Sequence, residues 1–156
     1  MITKGIKELC EEAEQEIETL LAEDVIQLRK DPEVVLVDIR DIRELWREGT
    51  IPGAMHAPRG MLEFWVDPDS PYHRADFNSG KKFIFYCAGG LRSALAAQSV
   101  HRMGLSPVSH ITLMSWSKPN QYKDNQMIAT KGSHVNQSNR TYQMMGPQNN
   151  GYWVSS

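Results

Sequence analysis

The sequence has few cysteines and no cluster of metal-binding side chains. Its 156 residues include two cysteines, Cys10 and Cys87, whose sequence contexts differ too much to suggest a disulfide framework. No Cys-x-x-Cys pair and no Cys/His cluster has the spacing of a zinc site. We therefore expect neither a disulfide-stabilised fold nor a bound metal.

Long apolar runs and a strong excess of one charge are also missing. No stretch approaches the ~18 apolar residues that mark a membrane-spanning helix. The N-terminus lacks the apolar stretch of a signal peptide and is too acidic for a transit peptide. With 17 basic and 19 acidic residues, the formal net charge of −2 gives no reason to expect nucleic acid as the main partner. We expect a cytoplasmic protein that engages neither membrane nor nucleic acid.

What the sequence does contain is an alternation of short apolar strands with helices. Residues 34–39 are a β-branched run, typical of a strand that is buried on both faces of a parallel sheet. Further strands are predicted at 83–86 and 108–112, and helices at 42–48 and 91–103. Such alternation implies βαβ crossovers. We predict one α/β domain in which helices flank both faces of a small, mostly parallel sheet.

Both ends of the chain differ from this central pattern. Residues 1–15 are predicted to form an N-terminal helix, because apolar residues recur there at helical spacing, and Cys10 falls on the buried stripe. A short strand at 17–20 and a second helix at 22–30 follow. Residues 113–156 are rich in Asn, Gln and Ser and lack periodicity, which predicts an irregular, mostly disordered polar tail.

The most informative segment surrounds Cys87. A predicted strand ends directly before this cysteine, and Ala88-Gly89-Gly90-Leu91-Arg92-Ser93 follow and open the next helix. Unpaired N–H groups at a helix start carry the positive end of the helix dipole, and small residues let such groups converge on one anion. Arg92 adds a positive charge, and Ser93 is a candidate hydrogen-bond donor or N-cap. Sites in parallel sheets form at the carboxyl ends of strands, where Cys87 is placed.

A buried, unreactive cysteine is the alternative interpretation, because free cysteine is among the most buried residue types. The glycine pair and the arginine that follow at this spacing favour a reactive thiolate instead. We therefore predict Cys87 as a catalytic nucleophile and residues 88–93 as the loop that binds its substrate.

Four motifs together resemble one known family. The segment Val37-Asp38-Ile39-Arg40 is similar to an Asp-x-Arg that closes a second strand. The segment Gly49-Thr50-Ile51-Pro52-Gly53-Ala54 is similar to a Gly-His-Ile-Pro-Gly-Ala element, with Thr50 in place of His. The loop Cys87-x-x-Gly90-x-Arg92-Ser93 and the strand Val108-Ser109-His110-Ile111 complete the set. Residues 16–112 thereby resemble a single-domain rhodanese, a sulfurtransferase domain.

The resemblance implies a two-step reaction. Cys87 would attack the outer sulfur of a donor such as thiosulfate and carry that sulfur as a persulfide. An acceptor such as cyanide, glutathione or a protein thiol would then remove it, in a ping-pong pattern. The N–H groups of residues 88–92 would stabilise the anionic sulfur, and Arg92 would attract an anionic donor. Neither a metal nor an organic cofactor is implied.

Cysteine phosphatases are the nearest rival, since they also place a cysteine and an arginine around an anion-binding loop. They use five residues between the two, whereas four, Ala88 to Leu91, separate Cys87 from Arg92. The shorter loop makes a smaller cradle, which favours a sulfur atom over the three oxygens of a phosphate.

Two questions stay open at this level. Asp38 and Arg40 either shape the site electrostatically or form a structural ion pair that holds the strand end to the Ile51-Pro52-Gly53 turn, and we favour the structural interpretation. Four of the five histidines, at 56, 73, 101 and 110, are scattered without triad or ligand spacing, so each is interpreted as an ordinary surface or core residue.

The resemblance ends at Thr112. The family continues with Gly-Gly-Phe-x-x-Trp and a closing helix, whereas this chain continues with Leu113-Met114-Ser115-Trp116-Ser117. This departure keeps a second function class open, a non-catalytic rhodanese-like module that binds or regulates partners. The retained Cys87, Gly90 and Arg92 favour the enzyme.

Overall fold

The computed structural model describes residues 1–112, together with the backbone of residues 143–144 and 153–154. Five helices lie in the first part: α1 (Ile6–Glu16), α2 (Ala22–Leu28), α3 (Ile42–Glu48), α4 (Leu62–Val66) and α5 (Leu91–Arg102). Five strands alternate with them: β1 (Glu18–Leu21), β2 (Val34–Asp38), β3 (Met55–His56), β4 (Lys82–Tyr86) and β5 (Val108–Thr112). Two 3-10 turns lie at Arg59–Met61 and Ala75–Asn78. The predicted strands and helices are confirmed to within about two residues at their ends, except that the N-terminal helix, predicted over residues 1–15, begins only at Ile6.

The five strands form one sheet in the order β1-β5-β4-β2-β3, and all of its pairings are parallel. The chain builds outward from β2 to the edge strand β3 and then returns to place β4 on the other side of β2. The carboxyl ends of β2 and β4 therefore lie side by side where the strand order reverses, the usual place for a site in an open α/β sheet.

Both faces of the sheet are covered, as the apolar strand runs predicted. Phe83 and Phe85 of β4 enter the larger core, where α1, α4 and α5 pack. Ile84 and Tyr86 point to the opposite face and join a smaller core with Val25 of α2. This alternation follows from the two-residue period of a strand. The α/β fold with helices on both faces is thus confirmed.

Cys10 lies on the buried face of α1, with 1% of its surface exposed, and its Sγ donates a hydrogen bond to the carbonyl oxygen of Leu91 at 3.7 Å. Its interpretation as a core residue agrees with this position. The contact also places α1 directly behind the loop that follows β4.

The predicted tail, residues 113–156, lies outside the described residues except for one short pairing. Two antiparallel strands, β6 (Gln143–Met144) and β7 (Trp153–Val154), pair there, where the sequence predicts no strand. Among the residues that the structure describes, no helix is long and apolar enough to cross a membrane.

Candidate functional site

Cys87 lies at the floor of a short loop between β4 and α5. Its neighbours in the loop differ in burial: Ala88 is exposed, Gly89 is half-buried, and Gly90 is buried. The cysteine itself keeps only 7% of its surface exposed.

The loop supplies polar contacts to the sulfur of Cys87. The backbone N–H of Gly90 donates a hydrogen bond to Sγ at 3.2 Å. The Oγ of Ser93 lies 3.7 Å from Sγ and accepts from the thiol. The ion pair with Glu44 and, less strongly, the charge of Cys87 raise the pKa of the Arg92 guanidinium. The loop therefore places a backbone N–H and the Ser93 hydroxyl oxygen around one sulfur atom, with the Arg92 guanidinium in the same loop.

Gly90 is the residue that lets the loop close in this way. It precedes α5 with φ 107°, a left-handed conformation that residues with a Cβ rarely adopt. A Cβ at this position would lie 3.0 Å from the Cα of Thr112 and 3.2 Å from the carbonyl oxygen of Ile111. The glycine therefore serves two purposes, since it makes the turn and allows β5 to pack against the loop.

The sequence suggests two roles for Ser93, a hydrogen-bond donor or the N-cap of the helix. The second is wrong, because Ser93 is not the N-cap of α5. The helix begins at Leu91, Gly90 is its N-cap, and Ser93 lies in the first turn. The Ser93 hydroxyl is fully buried and donates to the carbonyl oxygen of Gly90 at 3.0 Å. Its buried place beside Cys87 follows from the helical turn, which brings the third helical residue back over the loop.

Arg92 makes a two-bond ion pair with a residue that the sequence analysis did not select. Its Nη1 and Nη2 donate to the two carboxylate oxygens of Glu44 at 2.7 and 2.9 Å. This hydrogen-bonded pair raises the pKa of the Arg92 guanidinium and lowers the pKa of the Glu44 carboxyl. Arg92 therefore lies beside Cys87 with its charge already compensated.

His110 is a second residue that the structure adds to the site. It lies on β5 with 0% of its surface exposed, and its Nδ1 is 3.3 Å from the Oγ of Ser93. On the other side of the ring, Nε2 lies 3.1 Å from the Oγ1 of Thr19. Cys87, Ser93, His110 and Thr19 thus form a continuous chain of hydrogen-bonding groups from the loop to β1.

Burial lowers the pKa of His110 to about 4, against an ordinary value near 6.5, although a hydrogen bond with the Gly90 backbone acts in the opposite direction. The ring is therefore neutral at physiological pH. A neutral ring offers one N–H donor and one acceptor, so it orients the Ser93 hydroxyl and does not act as a base there.

We expect this buried ring to make the protein less stable in mild acid. Between pH 6.5 and 4 the unfolded chain binds a proton at His110 and the folded chain does not, so the free energy of unfolding falls as the pH drops. The loss attributable to His110 between pH 7 and pH 4.5 should be about 2 kcal/mol. Urea unfolding at the two pH values measures it.

The variant His110→Asn isolates this contribution, because other groups titrate in the same range. Glu14 lies 3.7 Å from Nε2 of His110, and burial raises its pKa, which acts in the opposite direction as the pH falls. The variant should lose about 2 kcal/mol less than the wild type between the two pH values, whatever its stability at pH 7. Equal losses, or an NMR titration of His110 near 6.5, would contradict the prediction.

Asp38 and Arg40 form a buried ion pair at the end of β2. The Nη2 of Arg40 lies 2.8 Å from Oδ2 of Asp38, and it also donates to the carbonyl oxygen of Gly49 at 2.6 Å. The Thr50 hydroxyl donates to Asp38 at 2.8 Å and lies 2.7 Å from the hydroxyl of Tyr86. These contacts tie the ends of β2 and β4 to residues 49–51, which lead into the Ile51-Pro52-Gly53 turn of the structural interpretation.

Metal-ligand clusters are absent from the described residues: no group of three or more His, Cys, Asp or Glu side chains there could hold a metal ion. Of the sequence-predicted site residues, Cys87 and residues 88–93 come together in the loop. Asp38 and Arg40 support that loop from the neighbouring strand, through the hydroxyls of Thr50 and Tyr86.

Glu44 and His110 could not have been found from local sequence signals. Glu44 reads as a capping residue of α3, and its Oε2 does accept from the backbone N–H of Asp41 at 3.1 Å. The partners of both residues are distant in the chain, since Glu44 and Arg92 are 48 residues apart and His110 and Ser93 are 17 apart. Only the sheet topology brings them together.

Comparison with known proteins points to one family. A family model of the rhodanese-like domain matches residues 21–118, more than half of the chain. The chain is 28% identical over 91 residues to the Bacillus subtilis protein named "Putative sulfurtransferase YtwF", covering 58% of this chain and 80% of that protein. It is 32% identical over 85 residues to the tRNA uridine(34) hydroxylase of a Synechocystis strain, covering 54% of this chain but only 30% of that protein.

A solved structure is similar over most of the chain. It is a protein of unknown function from Rhodopseudomonas palustris, described as a "possible tyrosine phosphatase". The identity is 52%, the TM-score is 0.71, and the match covers 80% of this chain and 92% of that one.

Proposed function

This chain belongs to the rhodanese-like family, and we propose that it is a sulfurtransferase that carries a sulfane sulfur as a persulfide on Cys87. The donor class includes thiosulfate and persulfidated thiols, and the acceptor is a thiol or cyanide. One observation carries the proposal: Cys87 Sγ accepts from the Gly90 N–H and contacts the Ser93 hydroxyl, in a loop that also contains Arg92.

In the first step the Cys87 thiolate attacks the outer sulfur of the donor. With thiosulfate, a new S–S bond forms on Cys87 as the S–S bond of the donor breaks, and sulfite leaves with the electron pair. In the second step an acceptor thiolate attacks the outer sulfur of the Cys87 persulfide and regenerates the Cys87 thiolate. Neither step requires a metal or an organic cofactor.

The loop can serve both states of the cysteine. In the free enzyme, the Gly90 N–H and the Ser93 hydroxyl contact Sγ. Once sulfur is added and the persulfide ionises, the outer sulfur carries the negative charge. Donors that are fixed by the loop and the first turn of α5 stabilise that charge without reorganising.

A phosphatase is the second candidate, since a similar structure is described as a possible tyrosine phosphatase. Four residues lie between Cys87 and Arg92, one fewer than in the loops of cysteine phosphatases. In addition, Arg92 is held by Glu44 in a two-bond ion pair. A phosphate would have to compete with that carboxylate, so both observations favour sulfur transfer.

We expect the wild-type protein to gain one sulfur atom, about 32 Da, when it is incubated with thiosulfate or with cysteine hydropersulfide. Mass spectrometry of the intact protein measures the adduct, and peptide mapping should place it on Cys87 and not on Cys10. Dithiothreitol should remove it. A folded protein that gains no sulfur from either donor would refute the proposal, and hydrolysis of p-nitrophenyl phosphate by the same sample would support the phosphatase.

A further inference from the structure

The charge of Arg92 is cancelled by the fold itself. β2 and β4 are paired neighbours with Asp38 opposite Tyr86, so the segments that leave their carboxyl ends start side by side. One leads into α3, which carries Glu44 in its first turn, and the other into α5, which carries Arg92 in its first turn. Both carboxylate oxygens of Glu44 accept from Arg92, and side-chain exposures of 20% and 43% leave the pair only partly screened by water.

In the three described segments that follow β2, β3 and β4, no unpaired positive side chain replaces the cancelled charge. Residues 39–48, 57–66 and 87–102, which follow β2, β3 and β4, contain no lysine. Each of their arginines lies within 3.5 Å of a carboxylate: Arg40 with Asp38, Arg43 with Asp41, Arg47 with Glu48, Arg59 with Glu63, Arg92 with Glu44, and Arg102 with Glu16. A doubly charged donor therefore meets no uncompensated arginine or lysine in these three described segments.

Resting on the function proposed above, we infer that Glu44 sets the donor class: it makes the site favour a persulfidated thiol over thiosulfate. Thiosulfate carries two negative charges, which an unpaired Arg92 would attract and which the Glu44 carboxylate repels. A hydropersulfide transfers its outer sulfur as the protonated R–S–SH, whose outer sulfur is neutral, and even its ionised form carries one negative charge against the two of thiosulfate. Glu44 is therefore a specificity-determining residue that acts through Arg92.

The charge balance of the two reactions shows why the donors differ. With a hydropersulfide, the Cys87 thiolate and R–S–SH give a Cys87 hydropersulfide and the thiolate R–S⁻, so one negative charge is present throughout. With thiosulfate, the thiolate and a dianion combine and release sulfite dianion, so three negative charges must gather in the loop. Neutralisation of the nearest arginine therefore penalises thiosulfate more strongly.

The test is the variant Glu44→Gln, assayed with two donors. Gln retains an acceptor oxygen for the Asp41 N–H and for Arg92 but removes the negative charge. The rate of sulfur loading on Cys87 is measured in single turnovers with thiosulfate and with cysteine hydropersulfide, whose ammonium group offsets its carboxylate. We expect the ratio of the thiosulfate rate to the hydropersulfide rate to rise about tenfold, as the change of one charge near the sulfur predicts.

A matched control separates this charge effect from a general change in α5. Glu16 accepts two hydrogen bonds from Arg102 at the far end of α5, so Glu16→Gln makes the same chemical change away from the loop. That variant should leave the ratio of the two rates unchanged. The gain in Glu44→Gln should also shrink at high salt, since ~1 M salt screens charges beyond about 3 Å. If Glu44 had a purely structural role, Glu44→Gln would change the rates with both donors alike, and salt would not alter the ratio of the two rates.

The outcomes are distinct from those that test the proposed function. If Cys87 gains sulfur from either donor but the rate ratio in Glu44→Gln stays within twofold of the wild type, the inference about Glu44 is wrong and sulfur transfer stands. If neither donor loads Cys87 in the folded wild type, sulfur transfer itself fails. A wild-type protein that loads thiosulfate faster than the hydropersulfide would also overturn the inference.

Discussion

The variant Cys87→Ser is expected to lose sulfur transfer entirely, with no sulfur adduct and at least a thousandfold drop in turnover. A serine hydroxyl does not ionise near neutral pH, and it cannot form the S–S bond that carries the sulfur. Sulfur loading by mass spectrometry and turnover with thiosulfate and cyanide provide the two measurements. The stability of the variant should change little, because serine fits the space and keeps the hydrogen-bonding contacts with Gly90 and Ser93.

Cys10 provides the control for this experiment, since it is the other of the two cysteines in the chain. It is buried in α1, and burial raises the pKa of its thiol, so it is a poor nucleophile. The variant Cys10→Ser should load sulfur as the wild type does, because a serine there can still donate to the carbonyl oxygen of Leu91. If Cys87→Ser gained an equal adduct, or if only Cys10→Ser lost the adduct, then Cys10 would carry the sulfur and the prediction would be contradicted.

Loss of the buried carboxylate at position 38 should have the largest effect on stability. The variant Asp38→Asn keeps the volume of the side chain but leaves the Arg40 guanidinium, with 6% of its side chain exposed, without its main counterion. Breaking a buried ion pair by removing one partner costs about 3–5 kcal/mol. Glu48 at 3.3 Å and the Gly49 carbonyl oxygen offset part of the loss, so we expect about 3 kcal/mol in urea unfolding.

The exposed pair of Asp41 and Arg43 is a matched control for the buried one. It also joins an aspartate to the arginine two residues later, at 2.8 Å, but both side chains are largely exposed. Asp41→Asn should cost less than about 1 kcal/mol, because water screens the pair and asparagine is also a good N-cap. Equal losses in the two variants would show that burial does not set the strength of the Asp38 pair.

The Asp38 variant also tests how the site is supported. Through Thr50, Asp38 is connected to the hydroxyl of Tyr86, the residue directly before Cys87. Burial raises the pKa of Tyr86 well above its ordinary value, and the nearby Asp38 charge raises it further, so this hydroxyl stays protonated and can donate. The network therefore positions the end of β4, and its loss should slow sulfur loading even in protein that remains folded.

Much of the fold was evident from periodicity because the central strands β2, β4 and β5 are largely buried on both faces. The runs at 34–39 and 83–86 are almost wholly apolar, and apolar runs of this length between turn residues indicate core strands of a parallel sheet. The helix at 42–48 was predicted with its correct bounds, since Asp41 caps it and Gly49 closes it with φ 78°. Hydrophobic burial and backbone capping are local properties, and a sequence displays them directly.

The nucleophile and its loop are also local features of the sequence. Cys87, the small residues after it and the start of α5 are contiguous in the chain, so their chemistry could be predicted without a fold. The charge state of the loop could not be predicted from the sequence. Arg92 looked like an attractor of anions, yet Glu44 from another crossover neutralises it, and His110 from β5 orients Ser93. These partners meet because the parallel pairing of β2, β4 and β5 sets their carboxyl ends side by side, and that pairing is a long-range consequence of how the whole chain packs.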